Sequence, residues 1–226
     1  MSPHIVKRYD EELSTLKKEI LTMGGMVEKM IADAMKALID GDAELARKII
    51  EYDHEVNRKE LAIDQLAVDI LAMRQPVARD LRLILTATKV NTDLERIGDI
   101  AVNLSERALE LLEEPPLKPY VDLPRMAART QELLKEALDS FVENNVEKAQ
   151  RVMKDDDEID ALYKQIFSEL LTYMLDDPKS VGRAIRLTFV AKYLERIADH
   201  ATNLAEMVTY FVEGHDVRHP QSREKR

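Results

Sequence analysis

The sequence predicts an all-α protein, two tandem antiparallel three-helix bundles made by an internal duplication, and three observations lead there. The first is a repeat. Leu94, Glu95, Arg96, Ile97, Asp99, Ala101, Asn103, Leu104 and Glu106 recur 100 residues later as Leu194, Glu195, Arg196, Ile197, Asp199, Ala201, Asn203, Leu204 and Glu206. Nine matches in thirteen positions mark two copies of one unit. The second is a period. Apolar residues fall at Leu83, Ala87, Val90, Leu94, Ile97, Ala101, Leu104, Ala108 and Leu111, and again at Leu187, Val190, Leu194, Ile197, Ala201, Leu204, Val208 and Phe211. Steps of three and four make a heptad seam on a long helix packed lengthwise against others. The third is composition: 45% hydrophobic, 34% charged and only six glycines in 226 residues, the make-up of long helices.

The first helix covers about residues 5–39, with Ile20, Met23, Val27, Met30, Ala34 and Leu38 on one face. Gly24-Gly25 in its middle costs roughly 1 kcal/mol per glycine relative to alanine, and marks a kink or a close helix contact. Asp40-Gly41-Asp42 ends this helix and caps the next. The second helix, about 43–73, carries a seam of Leu45, Ile49, Tyr52, Val56, Ile63, Leu66, Ile70 and Met73, with Lys59 at the one polar place. Gln75-Pro76 stops it, because the residue before proline avoids helical backbone. The third helix, about 77–113, carries the first copy of the motif.

Four of the eight prolines lie between Glu113 and Pro124. They predict an extended, stiff link at residues 115–123, between a first bundle (1–114) and a second (124–226). The second bundle repeats the plan. Its helices run over about 124–143, then 146–175 after Asn144-Asn145, then from Asp176-Asp177-Pro178 to Glu213, where Gly214 stops the last helix. The fifth helix answers the second at an offset of 103: Asp53, Glu55 and Val56 match Asp156, Glu158 and Ile159. The basic stretch Arg218 to Arg226 reads as a frayed, solvated end.

Acids outnumber bases 43 to 33, a net charge of −10. Such a surface repels phosphate backbones and excludes nucleic acid as a partner. Without cysteine there is no disulfide and no thiolate metal site. The start of the chain lacks the apolar core of a signal peptide, and no run approaches the roughly 18 apolar residues of a membrane span. A cytoplasmic protein is expected, with at most peripheral membrane association through partners.

The repeated acids need a separate account, since core packing explains only the leucines. Pairs one turn apart stand at Asp53 and Asn57, Glu95 and Asp99, Asp156 and Asp160, and Glu195 and Asp199; Asn103 and Asn203 extend the stripe. Relative to the seam, Glu95, Asp99 and Asn103 fall at b, f and c, on the face turned away from it. Like charges at i,i+4 cost a helix a few tenths of a kcal/mol each. Ion pairs from Arg96 and Arg196 to the acids three residues on are the simple remedy. The alternative is a hard cation such as Mg²⁺, Mn²⁺, Ca²⁺ or iron, which takes carboxylate oxygens. A ferritin-like di-iron centre needs inward-pointing Glu-x-x-His pairs, whereas this stripe points outward. His200 has Ile100 as its counterpart and reads as a satisfied or solvated histidine. No nucleophile elbow, phosphate-binding glycine loop or histidine–cysteine arrangement is present, so no enzyme is expected.

Three stretches carry a family resemblance: Leu94 to Asp99, Glu114-Pro115-Pro116-Leu117-Lys118-Pro119, and Tyr193 to Asn203. Over almost the whole chain the sequence resembles the PhoU family of bacterial phosphate-uptake regulators. The resemblance implies two three-helix bundles and multinuclear metal clusters held by paired Glu/Asp-x-x-x-Asp motifs. These motifs fall on Glu95, Asp99, Asp156, Asp160, Glu195 and Asp199, with divalent or iron cations (Fe, Mn, Mg or Zn) as the ions. Asn57, where an acid is expected, implies a weaker first site. The resemblance also implies a homodimer. It further implies a negative regulator of the phosphate-starvation response, bridging the ATPase subunit of the phosphate ABC transporter and the sensor histidine kinase. A carboxylate-rich metalloprotein for storage or di-iron-like chemistry, and a structural bundle with a solvated acidic face, remain as alternatives.

Overall fold

A computed structural model describes residues 3–214. Six helices run in order: α1 (Pro3–Asp40), α2 (Ala43–Arg74), α3 (Ala78–Leu111), α4 (Asp122–Glu143), α5 (Val146–Asp176) and α6 (Val181–Glu213), the last entered through a 3₁₀ turn at Pro178–Ser180. No strand occurs among the described residues, and none of their helices is long and apolar enough to cross a membrane. The basic stretch 218–226 lies outside the described residues.

The helix ends follow local chemistry. Asp42 accepts a hydrogen bond from the Leu45 amide at 2.9 Å, and Asn145 accepts one from the Lys148 amide at 3.0 Å. Corresponding helices, α2 and α5, thus begin on the same kind of N-cap, which satisfies an otherwise orphaned N–H. At the other ends Gln75, Asn144 and Gly214 turn the chain in left-handed backbone.

Of the two outcomes expected at Gly24-Gly25, the structure has the close contact. Helix α1 runs unbroken through both glycines. A Cβ at Gly24 would stand 2.5 Å from Cδ1 of Leu138 on α4, while one at Gly25 would meet nothing. Gly24 is therefore where α4 of the second bundle crosses α1 of the first.

That crossing belongs to a wider fusion of the halves. One continuous core extends from Leu16 to Phe211 and takes residues from all six helices, rather than one core per bundle. Helices α3 and α6 pack together, and α3 buries its seam and both flanks, Ile84, Asn91, Gly98 and Ser105 on one side and Thr86, Asp93 and Ile100 on the other. Polar ties reinforce the join. His200 Nδ1 lies 2.8 Å from Asp93 Oδ1. Lys17 donates to Asn144 Oδ1 at 2.7 Å, with its ammonium over the rings of Phe141 and Phe211. The proline-rich segment is fastened down as well, by Lys118 to Glu169 and by Arg183 to the Pro115 carbonyl.

One seam needs correction. On α2 the buried positions are Ala46, Ile49, Val56, Ile63, Ala67 and Ile70, while Tyr52 and Met73 are exposed and Leu45 and Leu66 only half-buried. Steps of three and four through the buried set require positions 53 and 60 as members. Asp53 and Glu60 thus take seam places in α2, and both are half-buried.

Candidate functional site

The acidic stripe on α3 is bordered by α2 rather than by solvent alone. Gly98 brings the helices close: a side chain there would reach Val56 at 3.3 Å and Asp53 Oδ1 at 3.8 Å. Beside it, Asp53 Oδ2 accepts a hydrogen bond from Asn57 Nδ2 at 2.8 Å, and Asp53 Oδ1 is buried with no hydrogen-bond partner. A buried carboxylate oxygen left unpaired costs free energy until a donor or a cation reaches it.

The electrostatics show which acids the fold gathers. Glu95 is half-buried, not turned away as the heptad position predicts. Burial raises its pKa first, and the charges of Asp99, Glu60 and Asp53 raise it further. Asp99 is more open; burial and then Asp53 push it up. Glu60 is raised by burial and by the charges of Asp64 and Asp99. The first-half cluster is therefore Asp53, Glu60, Glu95 and Asp99, with the amide of Asn57 where the second half has Asp160. The repeat does not mark Glu60, because the second copy supplies no acid to match it. Its counterpart is Tyr163. The available signal was its seventh-residue spacing from Asp53.

In the second half Asp156 is the centre. Its carboxyl is pushed from an ordinary 3.8 up to about 6, by burial first and then by the charges of Asp199, Asp160, Glu195 and Asp157. Asp199 is raised by burial, Glu195 and Asp160, with Lys192 and His200 working against the shift. Lys192 stands 2.5 Å from the Glu195 carboxylate, with its ammonium 5.4 Å from the Tyr163 ring centre. Arg129 holds Asp155 at 2.6 Å and Glu158 at 2.9 Å, so these two neighbours are drawn away from the cluster.

Some expected members stand elsewhere. Asn103 spends its side-chain amide on the Asp99 backbone carbonyl at 2.9 Å. Asn203 lines a groove between α3 and α6 together with Arg96 and Glu206. Helical periodicity fixes its face, but the neighbour opposite that face is the other bundle. Neither Arg96 nor Arg196 forms an ion pair with Asp99 or Asp199 among the described residues, so the simple remedy for the like charges is absent. His200 is satisfied by Asp93, as the sequence reading expects. The Glu-x-x-His spacing that a di-iron centre needs is present at Glu51 to His54, but both residues are exposed rather than inward-pointing.

As the side chains lie, no three Asp, Glu or His groups among the described residues converge on one ion position. The donor set nonetheless fits a hard cation in kind: all oxygen, anionic and partly desolvated, with one orphaned buried oxygen at Asp53.

Fold and site define a class, a duplicated three-helix bundle with one acid-lined helix pair in each copy. The PhoU domain pattern matches residues 20–108 and again 123–208. The PhoU homolog of Pseudomonas aeruginosa, named a phosphate-specific transport system accessory protein, is 42% identical over 220 residues, covering 97% of this chain and 91% of its own. The accessory protein PhoU of Escherichia coli is 36% identical over 219 residues, covering 97% and 91%. The crystal structure of PhoU from Pseudomonas aeruginosa superposes with a TM-score of 0.87 at 41% identity, over 92% of this chain and all of that one. That of the phosphate transport system regulatory protein PhoU from Streptococcus pneumoniae gives 0.87 at 28% identity, covering 93% of this chain. The chain belongs to the PhoU family.

Proposed function

We propose that this chain is a regulatory accessory protein of a phosphate-specific transport system, a non-catalytic adaptor that represses the phosphate-starvation response when phosphate is plentiful. It bridges the ATPase subunit of the transporter and the sensor histidine kinase, as a homodimer in the cytoplasm. The observation that carries this reading is kinship over 97% of the chain with relatives named as accessory proteins of that transport system. The test is a deletion strain grown in phosphate-rich medium. Phosphate-starvation genes are expected to be switched on, and normal repression in a strain without a second family member overturns the reading.

The two carboxylate clusters are proposed as sites for divalent or iron cations, Fe, Mn, Mg or Zn. Asp53, Glu60, Glu95 and Asp99 hold the first, with Asn57 alongside; Asp156, Asp160, Glu195 and Asp199 hold the second. The unpaired Asp53 oxygen and the raised Asp156 carboxyl support it, since both describe a charge lacking its counter-charge. Bound cations supply that counter-charge, and the protein's part is to fix the spacing of carboxylates on two rigid helices. A solvated acidic face is the rival, favoured by the Lys192–Glu195 pair. Melting with and without Mn²⁺, Mg²⁺, Zn²⁺ or iron separates them, because a ligand bound only by the folded state raises its stability. A melting temperature indifferent to every metal returns the acids to solvent.

A further inference from the structure

Both bundles expose apolar side chains at matching places, which a solvated surface has no reason to keep. Val68 on α2 and Leu85 on α3 are 56% and 43% exposed; their counterparts in the repeat, Leu171 on α5 and Ile185 on α6, are 42% and 44% exposed. The first bundle adds Leu61 (67%) and Leu81 (36%), where the second has Lys164 and Val181, but the aromatic anchors belong to the second alone: Phe167 (42%) and Phe189 (46%), with Leu175 (77%), stand where the first has Asp64, Lys89 and Ala72. Asp156 facing Asp199 and Lys192 over Tyr163 fix the antiparallel register of α5 against α6. In that register Phe167 and Leu171 on α5 come level with Phe189 and Ile185 on α6. Stacks of Tyr163 on Phe167 and of Phe189 on Tyr193 hold the two phenyl rings in place. Five such side chains present on the order of 450 Å² of apolar surface, within the ~300–600 Å² of the largest patches on monomers, which are often functional.

The charges around the patch choose its occupant. In the metal-free chain Asp160, Glu195 and Asp199 lie as carboxylates at one end, and Asp176 and Asp177, outside the proposed cation cluster, at the other. Most neighbouring bases are already engaged, Lys192 by Glu195, Lys164 by Asp160, and Arg183 and Arg186 by Glu114; Lys179 and Arg196 are the exceptions. A second copy would bring the same carboxylates against these, and an anionic lipid surface would repel them. We infer that the α5–α6 face is a docking surface for an amphipathic helical segment of a protein partner, with apolar residues along one side and Lys or Arg at its borders. Rigid aromatic anchors in an acidic surround are the chemistry that recognises such a segment. The inference deepens the adaptor reading and rests on it.

The probe is a synthetic amphipathic helix of about 18 residues built from Leu and Lys, titrated calorimetrically into the full chain in chelator, with a Leu/Glu helix as control. The Leu/Lys helix is expected to bind, and the triple variant Phe167→Ser, Leu171→Ser, Phe189→Ser to weaken it at least about tenfold. The first-bundle variant Val68→Ser, Leu85→Ser is expected to leave affinity within about twofold. All changed positions are exposed, so helicity by circular dichroism is expected to be kept. Should the triple variant lose it, Leu171→Glu alone carries the test. Equal binding of the Leu/Lys helix by parent and variant overturns the inference. So does binding to phosphatidylglycerol vesicles, or self-association of the parent, that the variant abolishes. In cells the triple variant is expected to mimic the deletion. Derepression on deletion with normal repression by the variant overturns this surface alone, whereas normal repression on deletion overturns the adaptor reading itself.

Discussion

Replacing Asp156 by asparagine in metal-free protein tests the central electrostatic feature. Asn keeps the shape of the side chain and removes its charge, with an amide NH₂ donor in place of one acceptor oxygen. The folded-state pKa of Asp156 is raised from 3.8 to about 6, so the folded chain holds this proton more tightly than the unfolded one. The sign follows: stability falls as pH rises from about 4 to about 6, and the ionised carboxylate is a net penalty above that range. A shift of roughly two units corresponds to about 3 kcal/mol at ~1.36 kcal/mol per unit, and screening at this half-open position reduces it to about 1–2 kcal/mol. Asp156→Asn is therefore expected to stabilise chelated protein near pH 7.5 by about 1–2 kcal/mol, or about 2–8 °C for a chain of this size. Near pH 4 the gain disappears, because the parent carboxyl is then protonated. Urea unfolding followed by circular dichroism, in chelator at the two pH values, reads both limbs. A destabilised variant near pH 7.5, or a gain that persists near pH 4, refutes the reasoning.

Three further outcomes are expected. Gly24→Val, placed against Leu138, should cost about 1–3 kcal/mol by overpacking, whereas Gly25→Ala, facing open space, should add about 0.5–1 kcal/mol; thermal melts that rank the two the other way dismiss the crossing as the reason for the pair. Asp42→Ala and Asn145→Ala should each lower stability by about 1 kcal/mol through loss of the N-cap bonds, measured by urea titration. Glu60→Gln should weaken Mn²⁺ binding to the first cluster and leave the second unchanged, seen in calorimetric titrations in an Asp156→Asn, Asp199→Asn background and in its converse.

The helices were legible because a heptad seam writes itself into the order of Leu, Ile, Val and Ala. Where the seam carries something else, the pattern misleads. On α2, alanines at 46 and 67 look weaker than the adjacent Leu45 and Leu66, and acids at 53 and 60 look like surface. The pattern therefore places the stripe one position away from the true one. Matching copies single out Asp156, Glu195 and Asp199 because both halves place carboxylates there in register, and Asp160 stands out by its i,i+4 spacing from Asp156, opposite Asn57 in the first half. The copies could not place Asn203, whose surroundings depend on how one bundle lies against the other. The same limit hid the common core: a buried α3 flank at Asp93 and Ile100 has no signature in sequence until α6 is set beside it.

That common core also bears on how a duplicated chain comes to exist. A half-length chain holding α1 to α3 alone would leave Ile100, Asp93 and the Gly24 side of α1 open to water. It would need a second half-length chain to close them, and its stability would then depend on its concentration. Joining two copies end to end makes the partner permanent and the contact independent of dilution. Each copy is then free to diverge on its outer helices, as Glu60 against Tyr163 and Asp64 against Phe167 record. The present interface between the bundles is in this sense a dimer contact turned inward.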